Sequence, residues 1–417
     1  MRVIKAELKK LLKSRRTWVL TAVSLFLTCI MAYLPVVYEG AAYYDEAGNE
    51  VVLQGLDAIR YKKELRKDLS GPVTPKKVRE AVEVYQECLR EYGVETIYEL
   101  PDEVIYSRLF VSNPFIHGVS EAFADRNTGI APSVLQIKPA SVDRYYEACV
   151  ERLDSLMRME QKDHPRAQQV AADMYEKVEK PYVYYQGLGS NPIEYEGFLA
   201  LLLLMCGVII AAPVFSSDYQ TGADDILRCT KHGQMRLGVA KISTAIGVTG
   251  VIFIACMSLY LLISNSFFGW ESAQTSMQMI FSITALADWN LGKLECVIAA
   301  GGLLSVMAAV CFVLMLSSKC KSVLVSLSVG LLMCIAPTFV YMFIPSFSDV
   351  NIWMQCLLPS CGVGLPTGYF YAANGYDFLS FGNFAVWTPY AMLGIAAIEI
   401  LLFLFCSLRF YVYRKKF

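Results

Sequence analysis

The sequence predicts an all-α polytopic membrane protein: six transmembrane helices, with a mainly helical extracytoplasmic domain inserted between helices one and two. Three observations carry that expectation. The 417 residues are 55% hydrophobic and 18% charged, with a mean hydropathy of +0.41, too apolar for a soluble chain of this length. The net charge of -1 hides a sorting of charge into segments between long apolar runs. Six of those runs approach the roughly 20 residues that a helix needs to cross a hydrocarbon core of about 30 Å.

Residues 1–16 hold Arg2, Lys5, Lys9, Lys10, Lys13, Arg15 and Arg16 against one acid, Glu7. Val3, Ile4, Leu8, Leu11 and Leu12 recur among them at near-helical spacing, so a cytoplasmic amphipathic lead-in helix is expected along the inner leaflet. The first span follows at 17–37, and its length and the lack of a cleavage site mark an anchor rather than a signal peptide. The basic start places it in the cytoplasm, and six spans return the C-terminus to the same side. Arg409, Arg414, Lys415 and Lys416 agree with that return, as does the basic turn at 318–322. The expected location is the cell (plasma) membrane, multi-pass, with both termini cytoplasmic.

Residues 38–196 have the composition of a folded polar domain, with acids in excess. Thr74 followed by Pro75 opens a helix that Gly93 ends, and Ser141 opens another through about Asp163. A third is expected from Arg166 to Glu179, while Val51–Leu53 and Ile130–Ile137 are the candidate short strands. Glu39–Gln54 and Pro181–Asn191 read as irregular stalks.

Spans two to six are expected at 197–215, 242–264, 293–317, 323–345 and 386–411, with Pro213 and Pro337 marking ends or kinks. Residues 216–241 join spans two and three, 265–292 form an outer loop, and 412–417 form a cytoplasmic tail. The loop at 346–385 contains a Pro- and Gly-broken segment, Val350 to Tyr371, that suits a re-entrant or interfacial helix pair.

The chain lacks a P-loop, H-E-x-x-H, G-x-S-x-G and any paired His/Cys ligand set, so no catalytic residue, metal site or cofactor of its own is expected. Its basic clusters abut spans, which positive-inside topology explains without nucleic acid. Cys88 with Cys149, and Cys356 with Cys361, are candidate disulfides or free thiols. Glu399 lies mid-span, where a lone carboxylate costs about 2.5–3.5 kcal/mol. It suits a cargo or subunit contact, or a hydrogen-bonded or protonated structural carboxyl. Lys293 and Glu295, near a span end, are expected to be solvated.

The stretch 215–241, FSSDYQTGADDILRCTKHGQMRLGVAK, is too polar to span and too long for a tight turn. Ala223–Thr230 can form a short helix with Asp224 and Asp225 at its positive end and Ile226 and Leu227 as apolar anchors for a soluble partner. Asp218, then Thr221 with Gly222, then Thr230, Lys231 and Lys241 follow a loose pattern seen before span three in one family of transporters. With the lead-in helix, six spans and broken outer helix pair, the chain resembles the ABC-2 type permease family, membrane-spanning subunits of ABC exporters. Asp218 stands where that family usually has Glu, and His232-Gly233-Gln234 where a serine-arginine pair is frequent.

The resemblance implies a coupling surface of Asp218, Gly222, Asp224, Asp225, Ile226, Leu227, Arg228, Thr230, Lys231 and Lys241. It implies an ABC ATPase subunit as partner, carrying ATP and Mg, and a second permease chain in a homo- or heterodimer within membrane lipid. The cargo classes that fit are a peptide antibiotic, a lipid or an ion. Two other readings are a four-span mechanotransmission permease, which well-formed spans four to six disfavour, and a membrane-anchored receptor or assembly factor, which has no need of the polar loop.

Overall fold

A computed structural model describes residues 2–230, 233–345 and 348–413. Among them, six helices are long and apolar enough to cross a membrane, and the chain is a multi-pass membrane protein. The path opens with α1 (Arg2–Lys13), which leaves Ile4, Leu8 and Leu12 exposed along one face. Ser14 breaks the helix with an extended backbone, and α2 (Arg15–Val37) is the first span.

The polar module follows. Glu39–Gln54 is a β-hairpin instead of the expected stalk: β1 (Gly40–Tyr44) pairs antiparallel with β2 (Glu50–Gln54). Its turn has no Asn-Gly signature; Asp45 Oδ1 holds it by accepting from the backbone N–H groups of Ala47 at 2.9 Å and Asn49 at 2.8 Å. After α3 (Leu56–Leu65) and β3 (Gly71–Pro72) comes α4 (Pro75–Tyr92), with the expected Thr74 cap and a left-handed Gly93 at its end. Its Val78, Ala81, Val82, Tyr85, Cys88 and Leu89 are buried along one stripe.

The short α5 (Asp102–Val104) runs into a π-helical turn, and α6 (Asn113–Ala122) follows. Residues 130–137 form no strand: Pro132 interrupts them and Val134–Gln136 make a 3-10 turn. The helix expected from Ser141 begins as a 3-10 turn at Pro139–Arg144 and becomes α7 (Tyr145–Glu160). The next, α8 (Pro165–Tyr175), ends four residues short of Glu179. Pro181–Asn191 is no loose stalk, because it contains β4 (Val183–Tyr184), paired with β3.

The second span is α9 (Ser190–Ala211) continued by α10 (Pro213–Thr221), longer at both ends than the hydropathy window suggests. After the short α11 (Ala223–Arg228), α12 (Met235–Phe268) likewise overruns 242–264. Once backbone hydrogen bonds propagate, a helix continues into polar flanks that hydropathy alone excludes. The remaining spans are α13 (Leu291–Lys319), α14 (Val323–Phe343) and α17 (Thr388–Val412). Between the last two lie α15 (Asp349–Leu357), α16 (Tyr369–Asn374) and a hairpin of β5 (Phe378–Phe381) with β6 (Phe384–Trp387). That hairpin takes residues 386 and 387 out of the expected sixth span.

Proline leaves one carbonyl unpaired in each of two spans, and in both a side chain from elsewhere satisfies it. Pro213 cannot donate to Ile209, whose oxygen accepts instead from the Arg16 guanidinium. Pro337, inside α14, frees the oxygen of Met333, which accepts from Ser360 Oγ at 2.6 Å. The helix break at Ala212 is closed by Ser317, whose Oγ accepts from Phe215 N at 3.0 Å and Ser216 N at 3.1 Å and donates to Ala212 O at 2.7 Å.

Two apolar clusters organise the molecule. One fills the spans, around α13, the most buried of them; α2, α14 and α17 keep most of their apolar surface outward. The other joins the module to the loops at 269–290 and 344–387. There the Tyr175 and Tyr182 hydroxyls share a hydrogen bond of 2.6 Å and both lie within reach of Ile283 O, at 2.7 and 3.1 Å, so that one donates to its neighbour and the other to the carbonyl. Thr275 Oγ1 accepts from Tyr185 N and donates to Tyr185 O, while Ser276 N donates to Val183 O at 2.9 Å. The module is thus bonded to one end of the span bundle, here called the module pole.

Candidate functional site

The far pole gathers α1, the ends of α10 and α17, the start of α12 and the connecting α11. Gly222, at φ +71°, ends α10 and turns the chain directly into α11. Asp218, in the last turn of α10, is buried and accepts from two lysines: Lys241 of α12 in a close ion pair, and Lys10 of α1 at 3.4 Å. Lys241 is itself only 3% exposed; its Nζ donates to Val214 O at 3.0 Å and stands over the Phe215 ring. A pair so desolvated owes its stability to these added hydrogen bonds. The Lys10 contact, largely in solvent, contributes little energy but ties α1 to the same carboxylate.

Asp224 opens α11 and pairs with Arg228 one turn later at 2.9 Å. The Arg228 guanidinium also donates to Tyr411 O and lies 5.1 Å from the centre of the Tyr411 ring, and Tyr411 Oη donates to Gly233 O at 2.9 Å. α11 is therefore fastened to the end of α17. Thr230 Oγ1 donates to Leu227 O at 2.7 Å and closes its C-terminus.

Of the residues proposed for coupling, Asp218, Asp224, Arg228 and Lys241 turn inward and build the platform. Asp225 and Thr230 are exposed, and Leu227 is half-buried. Ile226 is 74% exposed, so of the two expected apolar anchors it alone stands out in solvent. Lys231 lies outside the described residues. Tyr411, which completes the platform, went unread because an aromatic near the end of an apolar span looks like any interfacial residue.

Glu399 is half-buried on α17. The candidate disulfides are not formed: Cys88, Cys149, Cys356 and Cys361 are all buried free thiols. Cys88 and Cys149 occupy the inner stripes of α4 and α7, and burial pushes the Cys149 thiol up to about 12, which keeps it protonated and unreactive. Cys361 Sγ faces Cys356 O at 3.8 Å.

Near the module pole the structure corrects a second expectation. Glu295 is not solvated: it is 4% exposed and both oxygens accept from Asn265 Nδ2, at 3.1 and 3.0 Å. Glu196, the last residue of the expected polar domain and not singled out by the sequence, is fully buried. Helical spacing reveals it, since Ile193, Glu196, Leu199, Ala200 and Leu203 form one buried stripe. Lys293, in contrast, is exposed and bonds Asp288 O. Neither a known protein family nor a curated protein sequence matches this chain.

Proposed function

We propose that the chain is the membrane-spanning permease subunit of an ATP-driven exporter, with the far pole in the cytoplasm and the polar module outside. The observation that carries this reading is the far-pole platform. A short helix presents an exposed isoleucine, continues from α10 through the Gly222 turn and is fastened to α17 by Arg228, while Asp218 at the end of α10 ties that helix to α12 and α1, so a push on α11 reaches three spans without crossing a loose loop. The basic residues of α1 and the resemblance to ABC-2 type permeases agree with it.

In this reading a separate ATPase subunit, carrying ATP and Mg, seats Ile226 in a groove; closure of its nucleotide sites moves α11. The Asp224–Arg228–Tyr411 and Asp218–Lys241 links pass that displacement to α17 and to α10 with α12. Cargo, of the peptide, lipid or ion class, leaves along an interface with a second permease chain.

The test is a pull-down of the detergent-solubilised chain from its native cells, comparing wild type with Ile226→Asp. Burying that side chain contributes roughly 1.5–3 kcal/mol, so its replacement by a charge is expected to cut ATPase recovery by at least about tenfold. A folded wild-type chain that recovers no ATPase would sink the exporter reading and favour a membrane-anchored receptor.

A further inference from the structure

Three spans meet just below the module around two carboxylates. Glu196 on α9 has both oxygens buried with no hydrogen-bond partner among the described residues. Glu295, in the second turn of α13, accepts from Asn265 Nδ2, and Asn265 Oδ1, on the last turn of α12, is likewise buried and unpartnered. Tyr260 Oη donates to Pro192 O at 2.6 Å and fastens α12 to α9 one turn from Glu196. The two carboxylates lie close enough to feel each other's charge.

Among the described residues no basic group answers them. The titratable groups beside them are Tyr260 on α12, Cys296 on α13 and Tyr195, the neighbour of Glu196 on α9. The lysines at this level, Lys63 beside Gly269 and Lys293 on Asp288 O, pair with neither carboxylate. Carboxylates held in apolar surroundings need a counter-charge.

We propose that Glu196, Glu295 and Asn265 form a binding site for one small cation at the junction of α9, α12 and α13. The donors are carboxylate and amide oxygens, which suit a proton or a hard ion such as sodium and disfavour soft transition metals. Either source supplies the same chemistry, a positive charge placed among the orphaned oxygens. Occupancy draws three spans together, and loss of the cation leaves two like charges that push α9 and α13 apart.

The experiment uses the full-length protein in lipid nanodiscs, with thermal midpoints followed from about pH 5 to 9 in choline chloride or sodium chloride. The wild-type midpoint falls as pH rises in choline. If sodium takes the proton's place it restores the midpoint saturably at high pH; if the proton is the cation, the two salts give one curve. Glu196→Gln, neutral and of the same shape, shrinks the pH dependence to the part that Glu295 alone contributes and removes any sodium effect. Asn265→Asp, adding a third carboxylate, moves the pH-dependent fall upward or tightens sodium binding, and decides the matter should Glu196→Gln fail to fold. A Glu196→Gln or Asn265→Asp protein with the wild-type pH and salt profile overturns the site.

Discussion

Ser360 exists, in structural terms, for one carbonyl. Pro337 strips Met333 O of its helical partner, and a bare carbonyl inside the protein costs about 1–3 kcal/mol. Ser360→Ala is therefore expected to lower stability by that amount. In a Pro337→Ala background, where residue 337 regains its N–H, the same substitution is expected to cost much less. Chemical denaturation of the four proteins measures this as a double-mutant cycle, and strictly additive losses would refute the pairing.

Asp125 acts in the opposite environment, exposed at a turn of the module. Its Oδ1 accepts from Asn127 N, Thr128 N and Thr128 Oγ1, and these bonds hold its pKa below the ordinary value. A group whose pKa is depressed on folding contributes stability above its unfolded pKa and loses it as pH falls through the folded value. Asp125→Asn should thus lower stability near neutrality and flatten its decline in acid. An unchanged acid limb in a pH series of melting curves would exclude that role.

Among elements, the buried Asp218–Lys241 pair makes the sharpest forecast. Asp218→Asn strands the Lys241 ammonium and is expected to cost roughly 3–5 kcal/mol, whereas Asp218→Leu with Lys241→Met removes both charges and should recover most of it. Urea titration of each variant distinguishes the two, and equal losses would mean that the pair is solvated. The sequence made elements legible wherever a local signal decided them: the Thr74–Pro75 start, the Gly93 stop and the apolar spans. It revealed half of the β1–β2 hairpin, since Val51–Leu53 falls inside β2, and concealed β1 and the pairing, because a five-residue turn held by one aspartate carries no two-residue signature. Glu295 misled because Lys293 beside it suggested water. The stripe Leu291, Leu294, Glu295 and Ile298 was present, but which side of a helix end meets protein is settled by the loop folded over it.

At the scale of the whole molecule, the module is fused to the spans along a seam that leaves no room for a methyl group. A Cβ on Gly187 would stand 2.2 Å from Phe268 O, the last residue of α12, and 2.7 Å from Ser272 Cβ. Gly187→Ala is expected to cost about 1–3 kcal/mol by overpacking and to expose the seam to protease. Limited proteolysis that cuts variant and wild type alike would show that the seam has slack.

That seam gives α12 a mechanical meaning. Its 34 residues make a rod about 51 Å long at about 1.5 Å per residue. One end is gripped through Lys241, and the other abuts the module at Phe268. A tilt of roughly 10° about one end sweeps the other through about 9 Å by the geometry of such a rod. Because the Lys241 grip and the seam hold both ends, such a tilt has to carry the platform or the module along with it.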